Sequence, residues 1–276
     1  MFYMNYDIHY YFLFLRASYS YSYCYQGVII IHTNTEHSIS KSKAEEATLE
    51  LQALNITISH EIKAPVRAID GYARIFIEDF GSQVNEEGVE LIQNIRTICS
   101  DTLTLINKLL DYTKYADFEP IQEALNLKAI IQQVFSELTL GYTHKQRVHL
   151  EIEETIPYLL ADGVLIRQVL VNLLSNSLKF TKSKGDIRIK AGYFLENQEH
   201  IFYIKDNGVG FDMNFSENLF GMFQRMHSID DFEGSGVGLA IVKKIIQKFG
   251  GRVWLTGEVG KGACAYFSIA ADHILT

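Results

Sequence analysis

Three cysteines in 276 residues are few, and Cys24, Cys99 and Cys264 stand far apart. They form neither a metal-ligand spacing nor a disulfide framework, which points to a reducing cytoplasm. Positive charge is also scarce. The formal charge is −8, and without clustered Lys and Arg a nucleic-acid partner is excluded. No apolar run reaches the ~20 residues that a membrane span requires. The chain start lacks the basic residues and unbroken apolar centre of a signal peptide. Membrane contact is therefore not expected.

What remains is a chain that is 47% hydrophobic and long enough for two small-to-medium domains. Residues 1–40 form a Tyr-rich leader, its apolar runs broken by Asp7, Arg16 and Gln26. It reads as a short β-rich remnant or a poorly ordered leader, with a weak membrane-surface attachment as the alternative, and its role is unknown.

From Ser40 the pattern is helical. Leu51, Leu54, Ile58, Ile62, Ile69, Ala73 and Phe76 fall on one stripe roughly 100° wide at about 100° per residue. His60 projects about 180° from the centre of that stripe, with Glu61 beside it. A core histidine is therefore not expected there. "HEIKA" also lacks the second histidine of a zinc-protease motif. After the turn-like "FGSQVNEEG", Leu91, Ile95, Ile98, Leu105, Leu109 and Tyr112 form a second stripe. Two such helices make an antiparallel hairpin whose core is too small to stand alone, so a homodimeric four-helix bundle is expected over residues 41–118. Pro65 is expected to kink the first helix, and Pro120 marks the boundary between the hairpin and the second domain.

Residues 119–276 alternate helices with strands, which gives an α/β sandwich with a mixed sheet covered on one face and an α+β chain overall. Asp162 is placed to cap the helix "GVLIRQVLVNLLSNSLKFT". On that helix Asn172, Asn176 and Lys179 lie within roughly 60° of each other. Amide oxygens suit Mg²⁺, and the lysine can offset phosphate charge; a plain solvated edge explains the same spacing. In "KDNGVGF", Asp206 can accept from an exocyclic amine, and Gly208 and Gly210 allow close backbone approach, although an ordinary Asn-Gly turn has the same string. In "EGSGVGLAIVKK", Gly234, Gly236 and Gly238 open a helix, where free N–H groups favour phosphate. No strand runs directly into these glycines, so the dinucleotide-binding arrangement is excluded.

The ordered set "SHEIKAPVRAIDGY", "RQVLVNLLSNSLKFT", "DNGVGF", "LFGMFQRMHS", "GSGVGLAIVKKI" and "GEVGKGACAYFSI" resembles the transmitter region of sensor histidine kinases over about residues 45–270. The wording is most similar to the phytochrome-like subclass. The resemblance implies a histidine kinase/Hsp90-like ATPase fold. It also implies ATP and Mg²⁺ as cofactors, and phosphoryl transfer from His60 to a response regulator receiver domain in two-component signalling. Glu61 would orient the imidazole and take its proton. Asn176 would be the Mg²⁺ ligand, with Asn172 and Lys179 at the phosphates. Asp206, Gly208 and Gly210 would shape the adenine pocket. Arg225 would reach the γ-phosphate, Phe220 and Phe223 would anchor a lid, and Gly234, Gly236, Gly238 and Leu239 would complete the nucleotide site. The alternative is a catalytically silent ATP-binding dimeric scaffold. Ala64, one turn after His60, offers no hydrogen bond, which implies a kinase poor at removing phosphate from its partner.

Overall fold

The architecture is that of a computed structural model, which describes residues 57–117, 120–142, 147–182, 184–214, 219–224 and 234–275. The leader, residues 41–56 and Arg225 lie outside the described residues. Residues 59–276 form one compact unit.

The first helix, α1, is described from residue 57 to 80 and runs on through Pro65. A 3-10 turn, Gly81–Gln83, leads to α2 (Glu86–Asp117). The Nε of Arg96 donates to Asp70 at 2.9 Å, which fixes the antiparallel register of the two helices. The two stripes meet only in part. Ala73, Cys99, Ile106 and Leu110 are buried, whereas Ile62, Ile69, Leu91, Ile95 and Ile98 stay exposed. Leu91, Ile95 and Ile98 therefore cover nothing within a single chain, because one partner helix occupies too little of the stripe around α2.

Next come β1 (Glu123–Leu125), α3 (Leu127–Thr139), β2 (Arg147–Ile152), β3 (Tyr158–Ala161), α4 (Gly163–Thr181), β4 (Asp186–Glu196) and β5 (Glu199–Asp206). The chain ends with α5 (Gly238–Lys248), β6 (Val253–Glu258), β7 (Gly262–Ile269) and β8 (Ile274–Leu275). The main sheet has the order β2-β4-β5-β7-β6. Its β2–β4 pair is parallel and its other pairs are antiparallel. Ile187, Ile189 and Ala191 of β4, with Phe202 and Ile204 of β5, alternate onto the face that α3, α4 and α5 cover.

Asp162 holds α4 in place. Its Oδ1 accepts from the N–H groups of Val164 and Leu165, and its Oδ2 accepts from that of Ile121. The same carboxylate thus caps the helix and anchors the segment arriving from the hairpin. A second sheet, β1-β3-β8, was not foreseen from the sequence. Its strands are only three, four and two residues long, too short for an alternation to register.

Candidate functional site

A cavity of about 310 Å³ opens between α4, α5, β5 and the segments around residues 206–224 and 234–238. Nine of the residues named from sequence line it: Asn172, Asn176, Lys179, Asp206, Gly210, Gly234, Gly236, Gly238 and Leu239. Gly208, Phe220 and Phe223 are not part of the lining. His60 and Glu61 are exposed on α1 and do not reach the cavity either.

Part of the lining is apolar, built from Phe180, Phe211, Leu219, Leu255, Ala263 and Ala265. Beside it lies Asp206, which is 7% exposed. Burial pushes its carboxyl above the usual carboxylate range, against hydrogen bonds from the N–H groups of Gly208 and Ala263 and from Ser177. The turn after β5 is forced close to the sheet: Gly210 has φ 64°, and a Cβ there would sit 1.9 Å from the Glu258 carbonyl oxygen. Only glycine fits that conformation and that space.

Another part is polar. The Nδ2 of Asn172 donates to the Gln168 carbonyl at 2.9 Å. Its Oδ1 lies against the start of α5, 2.7 Å from where a Cβ on Gly238 would be. Asn172 is buried, whereas the sequence pattern also allowed a solvated edge. The side-chain amide of Asn176 has no hydrogen bond to another described residue. The Nζ of Lys179 stands over the Phe180 ring at 4.1 Å, and a Cβ on Gly234 would lie 3.0 Å from it. Gly236 has φ 69°, and its carbonyl accepts from the Phe223 N–H at 3.0 Å. Phe223 is 54% exposed, with a φ of 63°.

Two groups in this part lack partners. The Ser235 Oγ is buried without a hydrogen bond. The N-cap of α5, Val237, gives the helix no side-chain cap, so its first N–H groups face the cavity end uncapped. Unsatisfied donors on this scale call for an anion. Among the described residues no three His, Cys, Asp or Glu side chains gather as a metal site. A metal here would depend on amide oxygens and on the anion itself, a donor set that suits Mg²⁺. The cavity therefore fits a flat ring with a polar edge joined to an anionic tail.

The family comparisons point the same way. Residues 51–117 match the His Kinase A (phospho-acceptor) domain, and residues 161–273 match the histidine kinase-, DNA gyrase B- and HSP90-like ATPase. The chain is a sensor-histidine-kinase transmitter. Its relatives include the phytochrome-like protein Cph1 of Synechocystis, 31% identical over 82% of this chain and 30% of that protein. Another is cyanobacterial phytochrome B of Nostoc, 28% identical over 87% of this chain and 32% of that protein. A third is the methanogenesis regulatory histidine kinase FilI of Methanothrix harundinacea, 30% identical over 82% of this chain and 25% of that protein. The transmitter thus spans about a third of the length of these relatives or less. Full-length ShkA in complex with AMPPNP superposes with a TM-score of 0.59 at 25% identity, over 78% of this chain and 45% of that one. No described helix of the transmitter is long and apolar enough to cross a membrane.

Of the polar lining residues to which sequence reasoning gave no role, Ser177 and Lys108 are the most informative. Ser177 is buried against Asp206, one position after Asn176 on α4. Its hydroxyl gave no periodic signal. Lys108 lines the cavity from α2. The only trace in the sequence is a cation inside the apolar run "LTLINKLLDY".

Proposed function

We propose that this transmitter autophosphorylates on His60 with ATP and passes the phosphoryl group to an aspartate of a response regulator receiver domain. The observation that carries this reading is the cavity's pairing of apolar lining beside Asp206 with a polar part where the Ser235 Oγ and the α5 N–H groups lack partners. Asp206 accepts from the adenine amine. Asn172, Lys179, Gly234, Gly236 and Gly238 enclose the phosphates, and the family resemblance gives Arg225 the γ-phosphate. Asn176 would hold Mg²⁺, which when bound spreads the charge of the phosphates.

His60 suits the acceptor role because it is exposed, so a nucleotide-bearing domain can reach it. Glu61 takes its proton, and a ring nitrogen attacks the γ-phosphorus. A nitrogen–phosphorus bond forms as the bond to the bridging oxygen breaks, and ADP leaves. The exposed apolar residues of the hairpin support a homodimer over residues 41–118. Residues 119–276 are then the catalytic domain, and the scarcity of cysteine supports a cytoplasmic setting.

Incubating the purified chain with labelled ATP and Mg²⁺ tests the reading. An acid-labile, base-stable phosphate is expected, absent from His60→Gln while ATP binding persists. ATP binding without any labelling would favour the silent scaffold.

A further inference from the structure

The nucleotide cavity receives one side chain from outside the sandwich. Lys108 projects into it from α2, alongside Asn172, Lys179 and Gly238. It is held there by its neighbours on the helix. Leu105 and Tyr112, three positions before and four after, share its face and pack against the sandwich core. The Nζ of Lys244, on α5, stands over the Tyr112 ring at 4.1 Å. Lys108 therefore sits in the middle of a packed contact between hairpin and sandwich.

Its chemistry there is incomplete. Burial pulls the Lys108 ammonium below the ordinary lysine range, with no hydrogen bond or opposite charge acting against it. No described residue pairs with it. Asp206 is the one carboxylate among the described lining residues, and it already accepts from Gly208, Ala263 and Ser177. A half-desolvated cation without a counter-charge is unfavourable until an anion arrives. Among the described residues of this wall none supplies one, and an anionic ligand would.

Height along the hairpin adds a second argument. Extending the Asp70–Arg96 register along the antiparallel pair brings Ile106 level with His60. Lys108 is two residues further on, about 3 Å along the axis. The cation is thus at the level of the residue that receives the phosphoryl group.

We propose that Lys108 is a phosphate ligand of the bound nucleotide, supplied by the hairpin, so that tight binding of a phosphorylated nucleotide requires the hairpin to be docked on the sandwich. This rests on the nucleotide reading of the cavity. Docking and nucleotide binding then reinforce each other, because each presents a charge that the other needs.

Calorimetric titration of the full chain with ATP and with adenosine, in the presence of Mg²⁺, tests it. Lys108→Ala should weaken ATP about 10- to 100-fold, the range for losing a charge-assisted hydrogen bond, and leave adenosine unchanged. Lys108→Arg should restore most of the ATP affinity, and Lys108→Gln should not. Unchanged ATP affinity in Lys108→Ala overturns the proposal, as does an equal loss for ATP and adenosine. Asp206→Asn separates this from the underlying reading. If Asp206→Asn weakens ATP while Lys108→Ala does not, only the lysine's role fails. If the wild-type chain binds neither ligand, the nucleotide reading itself fails.

Discussion

Helices α1 and α4 are both amphipathic, yet they use their apolar residues differently. In α4 ten of nineteen residues are buried, so its apolar face is fully used within one chain. In the described part of α1 only Ser59 and Ala73 are buried, while Ile58, Ile62, Ile69, Ile75 and Phe76 remain exposed. The sandwich completes its own core between helices and sheet. The hairpin does not, and its exposed apolar surface is available to a second copy. The difference separates the two tasks. The domain that would bind nucleotide needs a rigid wall, and a fully packed α4 supplies it for Asn172 and Asn176. The helix that would carry the phosphoacceptor needs access, and His60 has it because it projects from the face opposite the apolar stripe.

That contrast can be broken by substitution. Phe202 is 2% exposed and stacks on Phe267 at 5.2 Å. Phe202→Ala should cost about 3–5 kcal/mol, the usual loss for a buried aromatic. Ile98 is 64% exposed, and Ile98→Ala should cost less than about 0.5 kcal/mol in dilute solution. As protein concentration rises, the cost of Ile98→Ala should grow if a second chain covers that face. Chemical denaturation at two protein concentrations checks both expectations. A concentration-independent loss at Ile98 equal to that at Phe202 would mean the hairpin is as self-sufficient as the sandwich.

A smaller effect is expected at Asp206, where function and stability should oppose each other. Asp206→Asn removes a charged acceptor, and nucleotide affinity should fall about tenfold or more. The oxygen that accepts from Gly208 and Ala263 is retained in Asn. Burial, the largest influence, raises the folded pKa of Asp206 above its unfolded value. The folded state therefore holds its proton more tightly, and the group becomes an unfavourable contribution that begins as pH rises past its unfolded value and is complete once pH passes the folded pKa. Below the unfolded value of about 3.9 that contribution is gone, and it grows as pH rises above it. Asp206→Asn should therefore melt no lower than wild type at pH 7, and any advantage should shrink towards about pH 4. A melting temperature well below wild type at pH 7 would show that the carboxylate holds the turn together.

Much of this was legible in local pattern. The stripe around Ile166 and Val169, the cap at Asp162 and the glycines before α5 each follow from spacing within about one or two helical turns. Gly210 and Gly236 take positive φ, and the Asn172 side chain lies against the start of α5 at Gly238. What stayed hidden depends on contacts far apart in sequence. Lys108 meets the cavity only because Leu105 and Tyr112 dock on the sandwich. Ser177 matters only because β5 delivers Asp206 to α4. The sheet β1-β3-β8 pairs strands at opposite ends of the domain and has no periodicity of its own. Among the residues named in advance, Gly208, Phe220 and Phe223 are not in the lining, although Gly208 donates to the Asp206 carboxylate that is.

The smallest effect is expected on the far face of the sheet, where solvent takes over from packing. Arg252 donates from Nε and Nη2 to the two carboxylate oxygens of Glu199, at 2.8 and 2.7 Å. Its guanidinium also stacks 4.2 Å over the Trp254 ring. The hydrogen bonds from Arg252, with one from Ser268, hold the Glu199 carboxyl down at about 2. A folded pKa below the unfolded value of about 4.3 means the pair stabilises the fold above that value and is lost as pH falls towards 2. The Arg252 side chain is 63% exposed, so water and salt screen the attraction and its contribution should stay below about 1 kcal/mol. Glu199→Gln should thus lower stability slightly at pH 7, less in high salt, and not at all near pH 2, where wild type has lost the same charge. Arg252→Lys keeps the charge but gives up the two-pronged geometry and the stacking, so it should retain only part of the effect. If Glu199→Gln instead costs as much as Phe202→Ala, and the cost survives high salt, then this exposed face holds the sheet together as firmly as the core does.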